Sequence, residues 1–496
     1  MFNIQTPVTI AIGVRAHEPS PNKPAKVRYA KIEGATRDDK LTQLEAIADF
    51  GGIVWRDCPN DWHRPFLPSG SGDFFNWPSL ENVFPYSFPG VQAGRNWIIG
   101  ETDELLISRL TSFLMRDQRT SDFKESRDTK IKSVKRDANG APLKPIADWV
   151  AVSDAQSPKT FGFRAFDRQR AFLDPRLCDW PRPDALRMES EKQVYFGTLY
   201  TEVLAVGAAI SATQGFPDLN FFHGRGGRIV PIYRNADGTE PNVTGGLLDA
   251  LGKEYGSAPS AENLAAYVYA VLGGQSYTRR FWNELETPGP RVPLTKDGAT
   301  FAKTAKLGRK LIWLHTYAER FRGEDRGKDV PQGNATTSKG VSSDPAHYPA
   351  EYHYDPAKQE IAVGDGRFGP VAPEVWAFEV SGLKVVQSWL GYRMKKRAGK
   401  KSSPLDDIRP ERWTARMSDE LLELLWVLES TLAMEPELEM ALDKIVAGPC
   451  FTAAELPTPK PEERKAPGSA SAAGALLGLM GIDEEDDDVA TEDDDD

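Results

Sequence analysis

At 496 residues the chain exceeds one ordinary core, and at ~100–200 residues per domain two or three domains are expected. With 40% hydrophobic and 27% charged residues it has the composition of a globular protein, and no apolar run approaches the ~20 residues that span a bilayer, which excludes a membrane-spanning helix. The net charge of −11 argues against a uniformly basic nucleic-acid binder, but six acids at 483–488 and five at 492–496 account for all of it, which leaves a balanced body.

Taken in chain order, FNIQTPVTIAIGVR (2–15) runs apolar as a buried strand does, and KVRYAKI (26–32) is a second strand candidate. The N-terminus has neither a basic region nor a small-residue cleavage site, so a cytoplasmic location is expected. RDDKLTQLEAIADF (37–50) places Leu41, Leu44 and Ile47 on one helical face. The stretch from Asp57 to Pro89, crowded with Pro, Gly, Trp and Phe, suits an ordered loop pinned by aromatics. ETDELLISRLTSFLMRD (101–117) predicts an amphipathic helix, and the polar stretch from Gln118 to Pro145 suggests a domain boundary, placed at 135/136. RIVPIYR and the segment around EVWAFEV predict strands. SAENLAAYVYAVL, DGATFAKTAKLGRKLIWLHTYAERF and SDELLELLWVLESTLAM predict helices, with Asp297 and Ser418 as caps. Residues 458–496, rich in Ala, Gly, Ser and acid, predict disorder apart from a helical turn at AGALLGLM.

Cys58, Cys178 and Cys450 lie far apart with no C-x-x-C, and the six histidines include no H-E-x-x-H, so neither a disulfide framework nor a metal site is expected. GDGRFG (364–369) fits G-x-G-x-x-G, but Pro370 and Pro373 follow where a phosphate-binding helix should begin, so a hairpin turn is expected there.

The remaining signal is basic and aromatic. Between Lys384 and Arg416 ten bases face three acids, a local positive field that attracts phosphate. GLKVVQSWLGYRMKKRAGKKSS predicts a helix with Val385, Trp389 and Tyr392 on its apolar face. It ends in Arg393, Lys395, Lys396, Arg397, Lys400, Lys401, Ser402 and Ser403, which form either a solvated basic loop or a phosphate grip. HGRGGRIVPIYR (223–234) is either a turn feeding a strand or a loop in which Gly224, Gly226 and Gly227 admit a close phosphate or groove edge while Arg225 and Arg228 donate. Arg279 and Arg280 are either further groove contacts or ordinary surface bases. FRAFDRQRAFLDPRLCDWPRP (163–183) carries five arginines; there Asp167 is expected to tie Arg164 or Arg168 into a structural salt bridge, with DNA contact as the second reading.

FRAFDRQRAF, FFHGRGGRIVPIYR, YVYAVLGGQSYTRRFWNELETPGPRVPLT, LGRKLIWLHT, VSGLKVVQSWLGYRM and SSPLDDIRPERW, spread over 160–455, resemble the C-terminal portion of type ISP restriction-modification enzymes. Those single chains combine a helicase-like nuclease, an adenine methyltransferase and a target-recognition domain. The resemblance implies a mixed α/β fold: the C-terminal part of a methyltransferase-like core at 1–135, a DNA target-recognition domain at 136–457, and an acidic tail. The adenine-holding Asn/Asp-Pro-Pro-Tyr/Phe motif, the glycine-rich S-adenosylmethionine loop and the helicase G-x-x-x-x-G-K-[ST] are absent. No cofactor is therefore expected on this chain alone, and S-adenosylmethionine is expected for the complete enzyme. Duplex DNA and a methyltransferase or nuclease polypeptide are the expected partners, with no membrane. Phosphate contacts are expected from Lys395, Lys396, Arg397, Lys400 and Lys401, and base-edge contacts from Arg225, Arg228, Arg279 and Arg280. A complete methyltransferase with an unrecognised active site and a scaffold that ignores DNA are the alternatives.

Overall fold

The computed structural model describes residues 11–14, 25–32, 37–58, 73–137, 140–222, 227–322, 331–395, 405 and 412–467. They fall into two compact units that divide at Gly72/Asp73.

In the first unit, β1 (Arg28–Tyr29) pairs antiparallel with β2 (Arg56–Asp57), and α1 (Arg37–Glu45) lies between them in sequence. Residues 11–14 form no strand, and the rest of the expected N-terminal strand lies outside the described residues. Leu41 and Leu44 are exposed, so the apolar stripe of α1 is not used within this unit.

The second unit holds the core. One four-stranded sheet has the order β3 (Ile99–Gly100), β5 (Asp167–Ala171), β4 (Lys159–Arg164), β8 (Phe216–Pro217), with β4 and β8 parallel. The pairing of β3 with β5 carries this unit across the expected 135/136 boundary. Arg170 reinforces it, donating to both oxygens of Asp103 at 2.6 and 3.0 Å from the first turn of α2 (Asp103–Leu114). The Thr102 side chain caps α2 by accepting from Leu105 N–H, and the helix buries Leu106, Leu110 and Phe113 as its periodicity predicts.

A three-stranded sheet, β7 (Ser211–Thr213), β6 (Tyr195–Leu199), β9 (Gly227–Pro231), is buried throughout its central strand. Gly197 is required in β6, since a Cβ there would sit 2.5 Å from the Phe221 ring. The sheet rests on two helices. α3 (Leu247–Tyr255) precedes them; α4 (Ala261–Gly273) is buried along its length from Leu264, and α6 (Gly298–His315) is capped by Asp297, which accepts from Ala299 N–H. α4 and α6 approach so closely that a Cβ on Gly308 would fall 1.7 Å from the Ala266 carbonyl. Between the pair, α5 (Gln275–Arg280) leads off the end of α4.

A second four-stranded sheet, β10 (Thr336–Lys339), β13 (Gly366–Gly369), β12 (Glu360–Val363), β11 (Tyr352–Asp355), is antiparallel throughout. GDGRFG supplies the turn of the β12–β13 hairpin and the whole of β13, so a strand follows its first glycines where a phosphate-binding helix would have to begin. The chain then enters a helical turn at Pro373–Trp376, where a strand over EVWAFEV was expected. Pro373 sits at the first helical position, and only Glu379–Val380 is extended, as β14 against β15 (Leu383–Lys384). α7 (Val385–Arg393) and α8 (Ala415–Ala447) complete the unit. α8 runs 33 residues, on the order of 50 Å, past Pro436 and well beyond the expected segment. Its cap is Thr414, accepting from Met417 N–H, and not Ser418, whose hydroxyl instead accepts from the Trp413 indole.

His315 knots these helices together. The Ala212 N–H donates to the Tyr269 hydroxyl (2.9 Å), which donates to His315 Nδ1 (2.6 Å); His315 Nε2 donates to Thr431 Oγ1 (3.0 Å), which donates to the Val427 carbonyl (2.7 Å). The Val427 carbonyl orients the Thr431 hydroxyl so that it accepts from Nε2, and a neutral imidazole then offers Nδ1 to the Tyr269 hydroxyl. Burial accordingly pushes His315 down to about 3.

The tail expected to be disordered from residue 458 is docked through its first ten residues. Arg234 donates to the Glu463 and Lys465 carbonyls, and the Glu463 carboxylate accepts from Gly245 N–H at 2.8 Å. The helical turn expected at AGALLGLM lies outside the described residues.

Candidate nucleic-acid interface

The end of α7 gathers five of the expected residues. Arg393 donates to both oxygens of Asp167 on β5, at 3.1 and 2.9 Å, and its guanidinium lies 3.7 Å from the centroid of Trp389. Arg393 and Asp167 are 5% and 3% exposed, so this arginine does not reach a phosphate: its charge is spent on the fold. Trp389 is buried as well, set edge-on against Trp413. Burial alone would lower the Arg393 pKa, but the Asp167 charge and hydrogen bonds raise it overall, with Glu420 at 4.0 Å adding to the effect. Beside this pair the Glu101 carboxyl is pushed up to about 7, chiefly by burial, with Arg393 opposing and Glu420 reinforcing.

Tyr392, on the same helix, is 40% exposed and not part of an apolar face. Its hydroxyl accepts from Arg164 Nε (3.2 Å), and its ring packs edge-on against Phe163 at 4.8 Å. Arg164 also pairs with Asp218 at 2.7 Å. Asp167 therefore ties neither Arg164 nor Arg168; Arg168 pairs with Glu319 and Glu423 and stacks on Tyr317. Arg164, Asp167 and Arg168 are each paired instead with partners more than fifty positions away, which no local spacing reveals.

From Arg393 the chain heads for the basic run. The Tyr348 hydroxyl donates to the Arg393 carbonyl (2.9 Å), and Lys395 N–H donates to the Pro349 carbonyl (2.8 Å), which fixes the direction of exit. Lys395 is exposed; Lys396, Arg397, Lys400, Lys401, Ser402 and Ser403 lie outside the described residues.

The second place is the start of β9. Arg228 donates from Nε to Ser87 Oγ (3.2 Å) and from Nη2 to the Ser87 carbonyl (3.0 Å). Gly227 opens the strand, and Arg225 and Gly226 lie outside the described residues. The extended segment 87–92 joins this edge to the Arg164 region. Phe88 bridges Ile229, Val91 bridges Asp218 and Gln92 bridges Trp180. Arg228, Arg164 and Tyr392 thus stand on elements laced together by one rib of chain.

Arg279 and Arg280, at the last turn of α5, face α8 instead. Arg279 pairs with Glu439 at 3.7 Å, and Arg280 pairs with Asp443. Both remain partly exposed, but each carries a carboxylate that a groove contact would have to displace.

The geometry defines a mixed α/β body with basic and aromatic side chains carried on strand and helix ends. The comparisons with known proteins place it. The chain belongs to the family of the Type ISP C-terminal specificity domain, whose model matches residues 82–424. No curated protein matches it. Solved structures that share the fold include the following. A nuclease-deletion mutant of the Type ISP restriction-modification enzyme LlaGI in complex with a DNA substrate mimic matches at 17% identity and TM-score 0.51, over 81% of this chain and 32% of that one. A DrdV–DNA complex matches at 17% and 0.54, over 83% and 42%. The ATP-dependent Type ISP restriction-modification enzyme LlaBIII bound to DNA matches at 16% and 0.55, over 83% and 27%. The chain therefore spans less than half the length of each of these proteins.

Proposed function

We propose that this chain recognises duplex DNA as the specificity portion of a Type ISP restriction-modification system, with methyl transfer and cleavage supplied by the remainder of that system. The observation that carries this reading is the family match over 82–424, supported by fold relatives whose structures are complexes with DNA or a DNA mimic. In this reading residues 1–135 form the junction to the methyltransferase core, with 73–135 packed into the recognition body. S-adenosylmethionine belongs to the complete system. The one G-x-G-x-x-G run here turns a hairpin and continues as strand β13, and the next helical turn, only four residues long, starts later at Pro373, so the run offers that cofactor no phosphate-binding helix N-terminus and no step through it is assigned to this chain. No helix among the described residues is long and apolar enough to cross a membrane, and a cytoplasmic location goes with the proposed role.

Within the reading, phosphate contacts fall to Lys395, Lys396, Arg397, Lys400 and Lys401, and Arg228 at the start of β9 is a further candidate contact to the duplex. Arg279 and Arg280 take a lesser part because α8 already neutralises them. The test is selection from a random duplex library at moderate salt. Enrichment of a short motif supports target recognition by this chain; no recovered DNA overturns it. On the selected duplex, five phosphate contacts give a slope of about −4 to −5 in log affinity against log salt. A flat response removes the phosphate grip, and replacing the five bases by Gln is expected to flatten it.

A further inference from the structure

The run Phe163–Pro183 contains five arginines, and four of them are consumed by carboxylates: Arg164 by Asp218, Arg168 by Glu319 and Glu423, Arg170 by Asp103, and Arg176 by Asp174. Arg182 is the exception. Among the described residues it has no ion pair; its Nε donates to the Gly90 carbonyl at 3.4 Å, and its guanidinium lies 5.4 Å from the centroid of the Trp180 ring. Asp184, two residues on, pairs with Arg187 instead, at 3.3 Å.

The backbone at Arg182 is left-handed, with φ 53° and ψ 57°, between Pro181 and Pro183. A non-glycine residue holds that conformation only when its surroundings impose it. The second arginine here is Arg228, bound to Ser87 through Nε and Nη2. Ser87 and Gly90 belong to the same rib, so one short segment holds both guanidinium groups. Burial and the Arg228 charge push Arg182 below its ordinary value, and only the Tyr86 phenol opposes them; no carboxylate takes part. Two like charges are thus held on one rib, near enough for the Arg228 charge to act on Arg182. Both Nη groups of Arg182 and the Nη1 of Arg228 have no hydrogen-bond partner among the described residues. Ion pairing elsewhere in this body is dense, so the missing counter-charge here stands out as a place for an external anion.

We propose that Arg182 and Arg228, with Trp180 backing Arg182, form a clamp for one backbone phosphodiester of the bound duplex. This rests on the reading given under Proposed function and adds to it a contact outside the basic run after α7. Two preorganised forks suit the tetrahedral oxygens of a phosphate, which lysines address only as point charges. Because a phosphate carries no base identity, the contact contributes equally on every sequence.

The test uses the full chain and its Arg182→Gln, Arg228→Gln and Arg182→Lys variants, each first checked for an unchanged melting curve in chloride. In the first arm the probe is inorganic phosphate at matched ionic strength. Phosphate-specific stabilisation of the parent chain, lost in both Gln variants, is expected; equal response in all chains overturns the anion site. In the second arm affinity for selected and random duplexes is measured against salt. Each Gln variant is expected to reduce the slope by about one and to lose the same factor on both duplexes, with Arg182→Lys between them and the parent. An unchanged slope, or a loss confined to the selected sequence, overturns the phosphodiester assignment. If the parent chain binds no duplex at all, the DNA-recognition reading and the phosphodiester assignment fail together, and the phosphate arm alone decides whether the clamp is an anion site.

Discussion

Asp167→Asn is expected to destabilise the body formed by 73–467 by about 3–5 kcal/mol, the usual cost of breaking one half of a buried ion pair. The change is nearly isosteric, so packing is preserved and the loss is electrostatic. Arg393 remains in a site where both members of the pair are almost inaccessible, its Nε already has no acceptor, and Glu420 at 4.0 Å is too distant to replace the two bonds lost. A fall in the urea midpoint reads the effect. The double variant Asp167→Leu/Arg393→Met is expected to recover most of the stability, because a buried pair gives little net stabilisation over an apolar one. If the single variant unfolds at the parental midpoint, the pair does not hold α7 to β5. Recovery of stability need not restore DNA affinity, however. Arg393 is where α7 ends and the basic run leaves, so a double variant that folds but binds duplex more weakly would show that the pair sets the position of that run.

This pair also marks the limit of what the sequence shows. Helices α2, α4, α6 and α8 were legible because a 3.6-residue apolar period survives wherever one face is buried, and Asp297 announced its helix through local capping chemistry. The GDGRFG hairpin was legible because Pro370 and Pro373 follow where a phosphate-binding helix would have to be under way, and the glycines turn a strand pair instead. Asp167 and Arg393, by contrast, are 226 positions apart, and charge in a sequence does not say whether it faces water or a partner. Arg393 therefore read as the first residue of a phosphate grip when it is a buried tie. Conversely, Arg182 read as one of five similar arginines. Its difference is that it has no ion pair among the described residues, which only the placement of Asp184 against Arg187 exposes. A local signal was present in Trp180-Pro181-Arg182-Pro183, where an aromatic and two prolines fix one arginine. The Thr414 cap was missed for a simpler reason: Ser418 is an equally good capping residue by type, and the choice was decided by Trp413, whose indole takes the Ser418 hydroxyl.

Lowering the pH from 7 to 4.5 is expected to cost this protein roughly 2–3 kcal/mol through His315 alone. The group titrates at its usual 6.5 when unfolded and is pushed down to about 3 when folded, so over that interval the unfolded chain gains a proton that the folded chain does not. The stabilisation is fully present above pH 6.5 and is lost progressively as pH falls towards 3. The cause is burial: the imidazole is closed off from water, and a second proton would have to sit on Nδ1, where the Tyr269 hydroxyl now donates. His315→Gln offers one acceptor and one donor in roughly the same directions and cannot titrate. Its stability is expected to be lower than the parent's at pH 7 and to converge on it by roughly 2–3 kcal/mol at pH 4.5. Glu101, pushed up to about 7, acts in the opposite sense, its contribution being present at low pH and lost as pH rises towards 7. Since Glu101 is common to both chains, comparing parent and variant at each pH removes it. Parallel stability curves would mean that His315 is not held neutral, and that the junction of α4, α6 and α8 under the β6–β9 sheet does not depend on the proton order drawn here.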